Sequence, residues 1–225
     1  EVIKSFAHKR TGLVIVTGAT GSGKSTTLAS LIEYVNKTMN KKIVTVEDPI
    51  EYLYKDDNSL IVQREIGHHV KNFDSAIVQA MREDPDILLV GELRDLETIQ
   101  SALRMAETGH LVFGTLHTRG AAESFSRMID VFPGNQQDQI RTQLAQVTQG
   151  VISQQLVTSA EGRRVPLCEV LVMNSGARGI ISSSGSSLAS LKDNIQQNHQ
   201  KLRSQSFTQS AADLIKKKLL SLDDV

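Results

Sequence analysis

Eight residues constrain this chain more than any others: Gly18-Ala19-Thr20-Gly21-Ser22-Gly23-Lys24-Ser25. They fit the spacing GxxxxGK[ST] and sit between a short apolar run, Leu13 to Val16, and a stretch where Leu28, Leu31, Ile32, Val35 and Met39 recur at helical spacing. A strand that turns through glycines into a helix can wrap an anion, because backbone N–H groups point inward and the helix adds the positive end of its dipole. The spacing predicts a phosphate loop running from Gly18 to Thr26. Lys24 would reach the β and γ phosphates of ATP, and the Ser25 hydroxyl would take a coordination position on Mg2+.

Three further runs, Ile43 to Val46, Ile87 to Val90 and Leu111 to Leu116, are apolar on both faces, as buried parallel strands are. Helical spacing at Phe73, Ile77, Ala80 and Met81, and again from Leu96 to Ala106, lies between them. The alternation predicts an α/β fold with a mainly parallel central sheet and right-handed crossovers. After Thr118 the pattern predicts helices from about Ala121 to Ile129 and Gln136 to Gln149. Strands Val151 to Val157 and Val165 to Met173 follow, as a hairpin around Ala160-Glu161-Gly162. Ser182 to Ser187 reads as a Ser/Gly-rich joint, and Leu188, Leu191, Ile195 and Leu202, then Leu214, Ile215 and Leu219, predict two or three terminal helices. The expected division is a core over 1–175 and a small helical C-terminal region over 176–225.

Composition narrows the function. Lys+Arg 25 against Asp+Glu 25 leaves no formal charge, and aromatics are 4%, which disfavours a protein that coats nucleic acid or an acidic membrane. The single cysteine, Cys168, excludes an internal disulfide or a cysteine-based zinc site and suits a reducing compartment. No run approaches the ~20 apolar residues of a membrane span, and Glu1 to Arg10 hold no signal-peptide core. The chain starts at Glu1 rather than methionine, as expected of a piece of something longer.

Hydrolysis needs an activated water, and open α/β sheets place their sites at the carboxyl ends of strands. Val44-Thr45-Val46 ends in Glu47-Asp48-Pro49-Ile50-Glu51, and the run to Val90 ends in Gly91-Glu92-Leu93-Arg94-Asp95. Gly91 stands where a magnesium-linked aspartate is usual. Glu47 or Asp48 is therefore expected to supply the acid around the metal, partly through water, leaving Glu92 to orient or deprotonate the attacking water. Asp95 reads as a cap for the helix that begins at Leu96. His110 and His117 flank the fourth strand; seven residues apart, or ~23 Å, they cannot share one metal. His117 is placed to sense a γ-phosphate, and His110 to sit at a turn or subunit contact. His68-His69 reads as a solvated turn.

Together the glycine loop, TVEDPIEY from Thr45, LLVGELRDLET from Leu88 and AETGHLVFGTLHT from Ala106 resemble the Walker A, Asp box, Walker B and His box of the secretion ATPase superfamily. The pattern, from about Gly12 to Met173, is most similar to the type IV pilus retraction branch, the PilT type. The resemblance implies a RecA-like P-loop core working as a homo-hexameric ring, with Mg2+-dependent ATP hydrolysis driving pilus retraction and twitching motility. It implies a cytoplasmic protein peripheral to the inner membrane, an inner-membrane platform protein as partner and no nucleic acid. It assigns Gly18 to Thr26 to nucleotide, Glu92 to catalysis, Glu47 to the magnesium and water environment, and His110 and His117 to sensing or interface roles. The family's N-terminal PAS-like domain is not in this chain and would precede Glu1. That domain and its linker are expected to supply most arginine fingers, for which Arg10, Arg82, Arg94 and Arg127 are weak substitutes. One cysteine excludes the four-cysteine zinc insert of assembly and type II secretion members, which favours retraction.

One departure points elsewhere. Retraction ATPases close their core with Ala-Ile-Arg-Asn-Leu-Ile-Arg-Glu-Gly-Lys, and the aligned stretch here is Gly176-Ala177-Arg178-Gly179-Ile180-Ile181-Ser182-Ser183-Ser184-Gly185. An accessory retraction ATPase or a related secretion or conjugation motor therefore stays open. A non-hydrolysing nucleotide switch and a DNA-translocating RecA-like motor are the remaining alternatives. Lys216-Lys217-Lys218 reads as a solvated helix face, with anionic lipid or a platform protein as the alternative contact.

Overall fold

The strand that leads into the glycine loop, β1 (Gly12–Thr17), is buried at all six positions. It lies inside a seven-stranded sheet of order β3-β2-β4-β5-β1-β6-β7 in a computed structural model that describes residues 1–159 and 161–220. The other strands are β2 (Lys42–Glu47), β3 (Leu60–Glu65), β4 (Ile87–Val90), β5 (Leu111–Leu116), β6 (Thr148–Thr158) and β7 (Arg164–Val172). All neighbours run parallel except β6 and β7, which form the antiparallel hairpin.

Side chains alternate across a strand, so strands apolar at every position need cover on both sides. On one side α1 (Val2–Ala7) and α2 (Lys24–Thr38) bring Phe6, Leu28, Ile32 and Val35 against Val14, Val16, Ile43, Leu89 and Phe113. On the other, α3 (Phe73–Ala80), α4 (Leu96–Glu107), α5 (Ala121–Asp130) and α6 (Gly134–Val147) pack Ile77, Ile99, Phe125 and Leu144 onto Leu13, Ile15, Val44 and Leu88. α7 (Ser175–Ser182) and α8 (Leu191–Gln197) add Ala177, Ile181, Leu191 and Ile195 to that second cluster. α9 (His199–Leu202) and α10 (Phe207–Lys216) close the described chain. Among the described residues no helix is long and apolar enough to cross a membrane.

Several boundaries differ from those the sequence predicts. The helix expected to reach Gln149 stops at Val147, because Thr148 turns extended (ψ 133) and pairs with Leu13, joining β6 to the sheet beside β1. β3 was not expected: it is the sheet edge, with Leu60 52% exposed and the rest half-buried, so it lacks the continuous apolar signature. α7 carries two glycines, which lower helix propensity, and takes in Ser182 from the expected joint. Asn174 initiates it by accepting from the Ala177 N–H (3.0 Å). The three lysines do not form a helix face. α10 ends at Lys216, and Lys218 takes a left-handed conformation (φ 59) that returns its N–H and that of Leu219 to the carbonyls of Ile215 and Leu214. Ala160 of the expected hairpin turn and residues 221–225 of the C-terminal region lie outside the described residues.

Candidate functional site

At the carboxyl ends of β1, β2, β4 and β5 a cavity of about 540 Å³ opens onto the glycine loop. Thr20, Gly21 and Gly23 to Thr26 line it, while Gly18, Ala19 and Ser22 frame the loop behind. Gly23 sits at φ +87 against the side chain of Gln154, and a Cβ there would come within 2.7 Å of the amide nitrogen. Only glycine satisfies both the turn and the close approach. Gln154 is 3% exposed in β6 and buttresses the loop from below. Its Nε2 donates to the Ser22 carbonyl (2.7 Å) and its Oε1 accepts from the Thr27 hydroxyl (2.7 Å).

Lys24, 9% exposed, curls onto the loop, its ammonium donating to the carbonyls of Gly18 (2.8 Å) and Ala19 (3.1 Å). Burial pulls its pKa below the ordinary lysine value, against the opposing pull of Glu92 and Glu51. The Ser22 hydroxyl is buried against Gly18 with no hydrogen-bond partner among the described residues. A cationic side chain resting on loop carbonyls at the start of α2, beside the cavity, fits an anionic phosphate.

The acids distribute unexpectedly. The Ser25 hydroxyl donates to Glu51 Oε1 at 2.8 Å, and Thr26 Oγ1 lies 2.8 Å from the Tyr52 hydroxyl, so the segment after β2 is fastened to the first turn of α2. Glu47 lines the cavity but is occupied by the Thr45 hydroxyl (2.7 Å) and Gln63 Nε2 (3.4 Å); burial raises its pKa above the usual carboxylate value. Asp48 is an exposed part of the wall. Of the three, Glu51 is the residue that meets Ser25, and sequence reasoning did not select it. Gly91 explains the missing aspartate. A Cβ at that position would lie 3.1 Å from the Val46 carbonyl and 3.3 Å from Glu47 Cα, a tight fit against the backbone of β2.

Among the described residues no three His, Cys, Asp or Glu side chains converge on a metal position. Magnesium keeps waters and shares its shell with phosphate, needing only one or two protein oxygens. The Ser25 hydroxyl backed by Glu51 suits it, with Glu47 and Asp48 within the same cavity wall for water-mediated contacts.

Glu92 is on the cavity wall, its side chain 20% exposed, with Oε2 2.6 Å from Arg94 Nε and Oε1 3.6 Å from His117 Nε2. His117 follows β5 and is held by its neighbour Thr118, whose N–H donates to the Thr17 hydroxyl (3.0 Å) and whose own hydroxyl lies 2.7 Å from Ser124 Oγ. His110, at the other end of β5, folds back on α4, its Nδ1 donating to the Met105 carbonyl (3.1 Å). Asp95 caps α4 as expected, accepting from the Thr98 N–H (2.8 Å). His68 and His69 are exposed in the turn after β3. Arg10, Arg82 and Arg127 are exposed and off the cavity wall; only Arg94 of the four arginines is on it.

The family profile described as "Type II/IV secretion system protein" matches residues 1–218. The chain belongs to that family. Among relatives in this secretion family, it is 49% identical over 182 residues to the "Twitching motility protein" of Neisseria gonorrhoeae, covering 80% of this chain and 49% of that one. It is also 49% identical over 181 residues to the "Type IV pilus retractation ATPase PilT" of Pseudomonas aeruginosa, covering 80% and 53%. The chain thus spans about half the length of these relatives. Its fold superposes on the crystal structure of "the Pilus Retraction Motor PilT and Bound ADP" with a TM-score of 0.86 at 45% identity, covering 99% of this chain and 62% of that one. The RecA-like α/β core followed by C-terminal helices is therefore the architecture of the secretion family here.

Proposed function

We propose that this chain is the nucleotide-hydrolysing part of a ring motor that drives type IV pilus retraction, using ATP and Mg2+. The observation that carries the reading is one cavity that gathers Lys24, Ser25, Glu51, Glu92 and His117 from four separate segments. Bound Mg-ATP supplies the scissile phosphoanhydride and concentrates charge at its terminal group. Gly18 to Thr26 present N–H groups to that charge, and Lys24 exchanges its two carbonyl partners for phosphate oxygens. The Ser25 hydroxyl, which hydrogen-bonds to Glu51, would hold the metal through its oxygen, and Glu47 and Asp48 would order the surrounding water. Glu92 accepts a proton from, or aligns, the attacking water, and His117 faces the same carboxylate as a sensor of the terminal phosphate.

The similarity to a twitching motility protein and to a pilus retraction ATPase supports this role, as does a single cysteine that leaves no four-cysteine zinc insert. We assign the working form to a homo-hexamer of the longer protein on the cytoplasmic side of the inner membrane, engaged with a platform protein. The altered stretch from Gly176 to Gly185, which begins in α7 and runs past its end at Ser182, favours one second reading, an accessory or related secretion or conjugation ATPase.

The test is magnesium-dependent phosphate release by the assembled full-length protein, abolished in Lys24→Ala and Glu92→Gln, paired with a pilus-retraction assay on a deletion strain. Normal turnover in either variant would defeat the hydrolytic reading. Tight ATP binding without phosphate release would select a switch, and salt-sensitive DNA binding a DNA motor. Intact retraction in the deletion strain would select the secretion or accessory role.

A further inference from the structure

Two features of the stretch after β4 are unexplained by the roles above: Arg94 lies against Glu92, and the backbone between them is pinned on both sides. Gly91 N–H donates to the Val46 carbonyl (2.8 Å), Leu93 N–H to the Thr115 carbonyl (2.9 Å), and Asp95 starts α4. Leu93, 2% exposed, drives inward so tightly that a Cβ on Gly114 would meet its Cδ1 at 2.7 Å. Leu93 is turned into the core while Glu92 and Arg94, on either side of it, both line the cavity. There Arg94 Nε meets Glu92 Oε2 at 2.6 Å, which leaves Oε1 turned toward His117.

Stability is a poor reason for this pair. Arg94 is 59% exposed, and an ion pair open to water contributes little to folding. The guanidinium contact occupies Oε2 and leaves Oε1 as the carboxylate oxygen on the side of His117. We infer that Arg94 is a positioning residue acting within its own subunit: it holds Glu92 so that Oε1 faces the attacking water. The inference rests on the reading of Glu92 as the water-activating group, and assigns Arg94 neither to phosphate nor to a neighbouring subunit's site.

The test compares wild type, Arg94→Ala and Arg94→Lys in the full-length ring, measuring steady-state hydrolysis together with the affinity of fluorescent ATP and ADP analogues. A misdirected base costs roughly 10- to 100-fold in turnover, so Arg94→Ala should lower kcat by about that factor with KM and both affinities within about 2-fold. Arg94→Lys, which keeps a positive charge opposite Glu92, should recover part of the loss. Mixing Arg94→Ala with Glu92→Gln subunits should restore nothing, since no subunit then carries both groups. Wild-type kcat in Arg94→Ala overturns the inference while leaving the hydrolytic reading intact. Selective loss of ATP but not ADP affinity also overturns it, because Arg94 would then hold the terminal phosphate. Recovery of activity in mixed rings overturns it in favour of action across the subunit boundary. A wild-type ring that releases no phosphate overturns both readings, so the two failures are distinguishable.

Discussion

β5 carries a histidine at each end, and the two fare differently. His117, at the carboxyl end, lies on the cavity wall with its Nε2 3.6 Å from Glu92, whereas His110, at the amino end, spends its Nδ1 on the Met105 carbonyl and the turn out of α4. The side chains are identical, so the contrast comes from the sheet. In a parallel sheet the carboxyl ends of neighbouring strands open together, and there the loops after β1, β2, β4 and β5 converge. At the amino ends the chain merely returns from a helix.

If that asymmetry is functional, damage should scale with the end that is struck. Lys24→Ala removes the one cation inside the loop and should cost roughly 10²- to 10³-fold in turnover, with binding of a fluorescent nucleotide lost in parallel. Glu92→Gln should slow phosphate release by about 10²-fold or more while nucleotide stays bound, separating chemistry from capture. His117→Ala should slow turnover about 10-fold, the worth of one hydrogen bond to a charged group, and His110→Ala should stay within about 2-fold. Equal losses in the two histidine variants would break the comparison. Gln154→Leu strands the Ser22 carbonyl and the Thr27 hydroxyl, so chemical denaturation should report a loss of about 1 to 3 kcal/mol.

The smallest effect concerns Glu47. Burial raises its pKa in the folded chain above the ordinary value of 4.5, so the folded state holds that proton more tightly than the unfolded state does. The resulting stabilisation is complete below the ordinary value and is lost as pH rises through the raised one. Glu47→Gln should therefore gain stability relative to wild type between pH 4 and pH 7, read from urea midpoints at the two values. A difference that does not change with pH would show that the carboxylate feels no such burial.

The sequence reveals most where burial is two-sided. β1, β2, β4 and β5 announce themselves because each needs apolar residues on both faces, and Asp95 because a cap has a fixed place before a helix. β3 escapes notice because an edge strand needs no such run. Glu51 escapes for a different reason: Glu47, Asp48 and Glu51 are chemically alike in sequence, and which one meets Ser25 depends on how the segment after β2 folds back over α2. Gln154 left a signal that went unused, the polar trio Ser153-Gln154-Gln155 interrupting an apolar strand. A polar side chain at such a buried position needs partners, and here they are the glycine loop's own backbone and Thr27.

β6 has a mechanical corollary. Its eleven residues, about 35 Å of extended chain, bear on the loop at Gln154 and pair with β7 from Gly150 to Thr158. β7 in turn clips to Gln205 through Val170 by two backbone bonds of 2.7 and 2.8 Å. A load applied at the glycine loop would therefore pass through hydrogen-bonded ribbon rather than slack loop to β7, the outer strand of the sheet.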